Sequence, residues 1–266
     1  VNEQVELSIS QFVGAWDAFC ATVPGRDREV QPGMYLLFTG IPIPFFNVAF
    51  QTRPVASAAS LRALGEDACA FAGDREVPWF LVVTHEAIPA GVDAAAVLGE
   101  VGLRPATTAT GMLAEDVEPL VRVPQGLELI EPWDDATSAA MITVNSAAYA
   151  MDMSAAIPDI GAHKTWKNHS AIVGRVDSLP VACSATLMVD GYRYVAFVAT
   201  HPDCQRRGYA DAAMRRSLDL AAERAGSRRP TVLHATDAGK PVYEKMGYGP
   251  ISTHTMFLHE RFLPEQ

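Results

Sequence analysis

Gln205-Arg206-Arg207-Gly208-Tyr209-Ala210 stands between an apolar run, Tyr194 to Ala199, and a long amphipathic stretch that closes at Gly226. The run before it is apolar and partly β-branched, the pattern of a strand buried on both faces, and Thr200, His201, Pro202 and Asp203 supply the turn chemistry that ends it. Beyond the hexapeptide the apolar period becomes that of a helix. Ala210, Ala213, Met214, Ser217, Leu218, Ala221 and Ala225 share one face, Arg215, Asp219 and Glu223 occupy another, and Gly226 sits where a C-cap glycine belongs. Strand, glycine turn and helix in that order leave the first N–H groups of the helix unpaired and aim the positive end of its dipole at one spot. An anion belongs there. Gly208 lets phosphate oxygens approach the backbone, Ala210 keeps the approach open, and Gln205, Arg206 and Arg207 add side-chain donors.

A second stretch follows at a telling distance. Thr231 to Thr236 reads as another buried strand, Asp237 to Lys240 as a loop, and Pro241-Val242-Tyr243-Glu244-Lys245-Met246-Gly247-Tyr248 as a short helix closing on a Met-Gly-Tyr turn. Together the two stretches resemble the GNAT acetyltransferases, whose pyrophosphate loop has the form Gln/Arg-x-x-Gly-x-Gly/Ala and whose second signature is a tyrosine-bearing helix before such a turn. The resemblance covers roughly residues 126 to 262.

The resemblance implies a mixed α/β sheet flanked by helices, with acetyl-CoA as cofactor; no metal is expected, since the cysteines form no Cys-x-x-Cys pair and have no adjacent histidine at zinc-ligand spacing. Gln205, Arg206, Arg207, Gly208, Tyr209 and Ala210 would hold the pyrophosphate, and the edge of the preceding strand, at Val198 and Thr200, would face the pantetheine arm. The Val198 N–H is then a candidate donor to the thioester oxygen. Tyr243 would protonate the departing thiolate, or else be an ordinary packed aromatic. Many relatives use a strand glutamate as base, but Tyr194 to Thr200 and Thr231 to Thr236 contain no carboxylate. His234 is the candidate in its place, since an imidazole titrates near neutrality, with a satisfied core histidine as the equal alternative. Cys204 adjoins the loop without an adjacent activating histidine, which favours direct transfer over an acetyl-cysteine. The acceptor pocket is expected under residues 145 to 170, where Asp152 or Asp159 could hold a cationic amine and Trp166 could wall it; the apolar content of the same loop equally suits a hydrophobic acceptor or a partner surface. The expected activity is acetyl transfer to a primary amine of a small molecule or peptide in a ternary complex. A non-catalytic acyl-CoA-binding regulatory module, another acyl group and a hydroxyl acceptor remain alternatives, and a homodimer stays open.

Composition narrows the class. The chain has 266 residues, 49% of them hydrophobic, enough for two modest domains or one large one. Its net charge of −10 argues against nucleic acid and anionic membrane as partners. The acid is uneven: residues 1–124 carry 7 Arg, no Lys and 15 Asp plus Glu, net −8, and the remainder is net −2. Arg206, Arg207, Arg215, Arg216, Arg224, Arg228 and Arg229 crowd about one helix, a basic field suited to a polyphosphate unless Arg215 and Arg224 simply pair along the helix. Four scattered cysteines without a Cys-x-x-Cys pair, and no basic-then-apolar leader, lead to the expectation of a cytoplasmic protein. The uncharged stretch Met34 to Phe50 is broken by Gly40, Pro42 and Pro44 and reads as buried strands.

An internal repeat is also legible. Val97 to Leu113 aligns without gaps on Val242 to Leu258, with Val, Gly, Pro, Thr, Thr and Leu recurring in register. Val48-Ala49-Phe50 resembles Val195-Ala196-Phe197, and Pro78 to Thr84 resembles Pro230 to Thr236. Two tandem domains of the same α/β fold are therefore expected: 1–122, an eroded copy without the phosphate loop and with Leu98 in place of Tyr243, and 126–266, the cofactor-binding copy. Residues 121–126 would link them.

Overall fold

The computed structural model describes residues 2–263. Its first half runs α1 (Glu3–Phe19), β1 (Asp27–Gln31), β2 (Met34–Phe38), β3 (Asn47–Gln51), α2 (Ala58–Ala72), β4 (Phe80–Thr84), α3 (Ala94–Gly99) and β5 (Leu103–Ala114). After a short extra strand, β6 (Glu128–Ile130), the second half repeats the order: α4 (Asp135–Tyr149), α5 (His163–Trp166), β7 (Ser170–Val176), β8 (Leu179–Val189), β9 (Tyr192–Thr200), α6 (Tyr209–Ala225), β10 (Thr231–Ala235), α7 (Lys240–Lys245) and β11 (Gly249–His259). The stretch Met34 to Phe50 does form two buried strands, separated by a tight turn at Pro44–Phe46.

All strands join one mixed sheet in the order β1-β2-β3-β4-β11-β5-β10-β9-β8-β7-β6. The order is nearly a palindrome. Each half has one parallel pair, β3 with β4 and β9 with β10, and each half's last strand lies in the other half's ladder: β11 pairs with β4, and β5 with β10. β5 and β11 then pair with each other, and Ala109 faces His254, the residue the repeat makes its counterpart. The centre of the sheet is thus a pseudo-two-fold axis. The expected split near residues 122–126 divides the chain but not the sheet, because the exchange covers the strand edge each half would otherwise leave open.

Helix α1 packs against β8 to β11 and helix α6 against β7 to β9. Asn2 caps α1 by accepting from the Val5 N–H, and Val5, Ile9, Phe12, Ala15 and Phe19 recur at helical spacing and are buried against the sheet. The same core cluster contains residues of both halves, Phe12 and Phe50 with Tyr194 and Val232. On α6 the buried face includes Ala213, Met214, Leu218 and Ala221, and Ser217 at its centre bonds the hydroxyls of Ser184 and Thr186. Gly226 ends α6 in the left-handed conformation, φ 67°.

The ladders correct one detail of the repeat. Val48 faces Phe80, and Tyr194 faces Val232, so with Phe80 and Val232 equivalent, Tyr194 rather than Val195 is the counterpart of Val48.

Candidate active site

The turn after β9 is built as an anion cradle. Arg206 (φ 62°) and Gly208 (φ 78°) are left-handed, and this alternation turns successive N–H groups toward one side. The first intrahelical bond of α6 is from the Ala212 N–H to the Gly208 carbonyl. Among the described residues no acceptor takes the N–H groups of Arg206 to Asp211. Gln205, Arg206, Gly208, Tyr209 and Ala210 line the mouth of a cleft of about 620 Å3. Tyr209 contributes its backbone there, since its ring is buried against Leu127, Val181 and Ala182. Arg207 is exposed beside the cleft, with a long bond to the Asp203 carbonyl.

The basic field is narrower than the arginine count implies. Arg215 pairs with Asp211, Arg216 with Glu223, Arg224 with Glu131, and Arg228 with Asp116 and Asp219. Among the described residues Arg206, Arg207 and Arg229 have no ion-pair partner; Arg229 bonds Ser227 Oγ beyond the C-terminal end of α6, so Arg206 and Arg207 carry the uncompensated charge at the cradle. His201 accepts from the Asp203 N–H and serves the turn. Cys204 packs beside the Leu127–Tyr209 cluster, outside the cleft lining.

Above the cradle the sheet opens. β9 and β10 pair only as far as Val195 and Leu233. Just beyond, β9 bulges: Cys183 faces Ala199 but Ala185 faces Ala196, so β9 carries one extra residue. Phe197 at the bulge has φ 53°, a strained angle for an aromatic residue, costing on the order of 1–3 kcal/mol. Its ring is clamped between Phe19 at 4.9 Å and Trp166 at 5.1 Å, and the Cys183 thiol donates to its carbonyl at 3.1 Å. Burial pushes the Cys183 thiol up to about 12, so it stays a protonated donor. Val198 and Thr200 both line the cleft on the splayed edge.

Tyr243 also lines the cleft, half-buried, and its hydroxyl has no hydrogen-bond partner among the described residues. Gly239 makes room for it: a Cβ there would lie 3.1 Å from the ring. Burial, then the neighbouring phenols of Tyr149 and Tyr248, push its titration upward, so the proton is held across the physiological range.

His234 reaches the cleft wall but both ring nitrogens are engaged. Nδ1 is 2.8 Å from the Tyr194 hydroxyl and Nε2 is 3.0 Å from Ser8 Oγ. The buried phenol of Tyr194 has no other acceptor among the described residues, which fixes the direction of the network. Tyr194 donates to His234 Nδ1, and His234 Nε2–H donates to Ser8. Ser8 Oγ then has one hydrogen to give, to Ser252 Oγ at 2.6 Å or to His254 Nε2 at 3.1 Å; Ser252 Oγ is 2.8 Å from the same nitrogen, so a hydroxyl donates to His254 Nε2 in either case and His254 Nδ1–H donates to Thr84 at 3.0 Å. Every member is satisfied only if both histidines are neutral. Burial drives His234 well below its ordinary value and His254 to about 3, in keeping with that arrangement. Phe12 stacks on the His234 ring at 3.9 Å.

Two of the residues expected around the acceptor lie elsewhere. Asp152 is exposed, caps the Ser154 N–H and borders a separate hollow beside Ile142 and Ser146. Trp166 is fully buried behind Phe197 and braces the bulge instead of walling the cleft. Asp159 is held by Lys164. The far wall comes instead from Phe12 and Trp16 of α1, Phe45 and Phe46 before β3, and Thr107 to Ala109 of β5, with Tyr149 and Met153 from the second half. In the sequence the α1 residues look like any buried helix face, and only the exchange of β5 brings its threonines here.

Residues 142–248 match the acetyltransferase (GNAT) family model. In fold the chain is similar to a GCN5-related N-acetyltransferase from Kribbella flavida, at 20% identity over 97% of this chain and 96% of that one, TM-score 0.70. It is also similar to one from Sphaerobacter thermophilus, at 12% identity over 94% and 91%, TM-score 0.57. A tandem GNAT protein from the clavulanic acid biosynthesis pathway aligns over 97% of this chain and 96% of that one, at 11% identity and TM-score 0.54. No curated protein matches the sequence.

Proposed function

We propose, from the membership of this chain in the GNAT acetyltransferase family, that it transfers the acetyl group of acetyl-CoA to a primary amine by direct attack. The observation that carries this reading is the unpartnered Tyr243 hydroxyl on the same cleft as the open cradle and the splayed strand edge. Pyrophosphate suits the N–H groups of Arg206 to Asp211 with the Arg206 and Arg207 side chains, and the pantetheine arm suits the unpaired edge of β9. The Val198 N–H would bond the carbonyl oxygen as negative charge develops there. Tyr243, protonated, would pass its proton to the leaving thiolate.

The amine has to attack as the free base. The adduct it forms carries an ammonium far more acidic than the free one, which can give its proton to solvent in the open cleft. Tyr194 would orient that nitrogen: its oxygen can accept a hydrogen bond from it, because its own hydrogen is directed to His234 Nδ1, 2.8 Å away.

A second reading, an acyl-CoA-binding module without turnover, draws on the cleft's acid content: its one carboxylate, Asp211, is tied to Arg215. The two separate in one experiment. Acetyl-CoA is incubated with a broad panel of amines while free thiol is followed, for the wild type and Tyr243→Phe. Turnover that falls at least about 10-fold in the variant, with CoA affinity unchanged, supports the enzyme. Tight CoA binding with no turnover in either protein supports the module.

A further inference from the structure

We propose that the first half of the chain, which lacks a phosphate cradle, is the acceptor-binding half, and that the acceptor is a small primary amine on an aromatic or other apolar body with no second charge. The inference rests on the acetyltransferase reading of the cleft and adds the chemistry of its far end.

Order along the cleft comes from β9. Thr200 adjoins the cradle, Ala196 to Val198 follow, and Tyr194 stands about 20 Å from Thr200 at strand spacing. Trp16 lies edge-on to Tyr194 at 6.5 Å, and Phe12 covers His234. Phe45 is joined to this wall through its carbonyl, which accepts from Trp16 Nε1 at 2.6 Å. The end beyond the thioester is therefore built of aromatic faces and edges supplied by the first half, with the Tyr194 oxygen as the polar atom that can meet an amine.

Charge excludes most other amines. Asp211 and Arg206 lie at the cradle end. Asp17, near Trp16 in sequence, is occupied by Arg26, Arg28 and Tyr35. Among the described residues no carboxylate lines the far end, so the second ammonium of a polyamine, aminosugar or lysine-rich peptide would be desolvated without a partner. No cation lines it either, so an amino acid would bury its carboxylate equally unpaired. Apolar area on flat rings is what remains to supply binding energy.

The first half can specialise in this way because its own cofactor slot is laced shut. Gln51 holds the ladder position of Phe197, and it is buried with its amide bridging the strands. It accepts from the Thr84 N–H at 3.0 Å and donates to the Arg53 and Ala87 carbonyls. Where β9 and β10 diverge to expose backbone groups, β3 and β4 are joined by a side chain.

Matched acceptors test the proposal: 2-phenylethylamine against phenylalanine, which adds a carboxylate, and butylamine against 1,4-diaminobutane, which adds an ammonium. In the thiol-release assay each added charge should lower kcat/KM by roughly 100-fold. Phe45→Ala should raise KM for 2-phenylethylamine about 10-fold and leave KM for acetyl-CoA unchanged. Binding of 2-phenylethylamine to the protein–CoA complex is measured separately by quenching of tryptophan fluorescence, with Trp16→Phe identifying the source. Preference for phenylalanine or the diamine overturns the acceptor class while leaving the acetyltransferase intact. Aromatic-amine binding that quenches Trp16 without any turnover keeps the acceptor site and removes the activity. Neither binding nor turnover of the aromatic amine overturns the inference.

Discussion

Gly111→Ala is the sharpest probe of the polar network behind the cleft. Gly111 lies on β5, opposite His234 on one side and Ser252 on the other. A Cβ at this position would fall 2.2 Å from Ser8 Oγ, 2.2 Å from Ser252 Oγ and 3.3 Å from His234 Nε2. Alanine is the better strand residue, which favours the variant by about 0.5–1 kcal/mol. Against this stand overpacking of about 1–3 kcal/mol and the loss of Ser8's bonds to His234 and Ser252. Each buried group left unpaired costs about 1–3 kcal/mol. The clash wins, and the net expectation is a destabilisation of about 2–5 kcal/mol. Urea unfolding followed by circular dichroism measures it. Ser8→Ala removes one clashing atom, so the double variant should be less destabilised than the sum of the singles by about 1 kcal/mol or more. A Gly111→Ala protein within about 0.5 kcal/mol of wild type, or strict additivity, would refute the packing described for this junction of the two halves.

Gly208→Val places a β-branched residue at φ 78° in the cradle, so the turn has to refold and the dissociation constant for CoA should rise at least about 10-fold by calorimetry, with unchanged affinity sinking the cradle assignment. His234 and His254 are held neutral in the fold, with depressed titration, whereas an unfolded chain takes up protons below about 6.5. Their contribution is therefore complete above that pH and is lost as pH falls toward the folded values. The slope approaches about 1.4 kcal/mol per pH unit for each histidine, starting below about pH 6.5 and continuing toward about 3 for His254. Denaturant unfolding at pH 7.5, 6 and 5 should show this loss, and its absence in Ser8→Ala/His234→Phe/His254→Phe should assign it to this pair; an equal slope in the triple variant would place the acid sensitivity elsewhere.

What could be read from the chain and what could not divide along a physical line. The strand before Gln205, the helix after it and the Gly226 cap depend on residues within a few positions of one another, and β9, α6 and the cap lie close to the expected bounds. The repeat of Val97 to Leu113 on Val242 to Leu258 likewise identifies β5 and β11 as equivalents. Which strand each pairs with is a non-local choice, and a tandem sequence is equally compatible with strands kept at home or exchanged. The one-residue slip in aligning Val48 on Val195 has a local cause: the bulge at Phe197 adds a residue to β9, and matching without gaps spreads that extra residue back into the strand. Phe12 and Trp16 could not be singled out because an aromatic helix face reads alike against a core or a cleft. Asp152 draws the eye in the sequence for its charge, but it spends that charge on a backbone N–H.

The asymmetry between the copies has a common root in how each closes the wedge between its parallel strands. A wedge needs partners for the backbone groups it exposes, and a buried group without one costs about 1–3 kcal/mol. In the first half Gln51 supplies those partners from within, and Leu98 stands where the second half has Tyr243. In the second half an aromatic residue occupies the matching place, cannot bridge the gap, and is held at φ 53° by Phe19 and Trp166. Phe19 belongs to α1, and His234 is held through Ser8 of the same helix, so the first half braces both the bulge and the His234 ring while closing its own wedge with Gln51. Loss of the cradle in one copy and dependence of the other copy on it are then coupled: with β5 and β11 exchanged, neither half retains a complete sheet of its own.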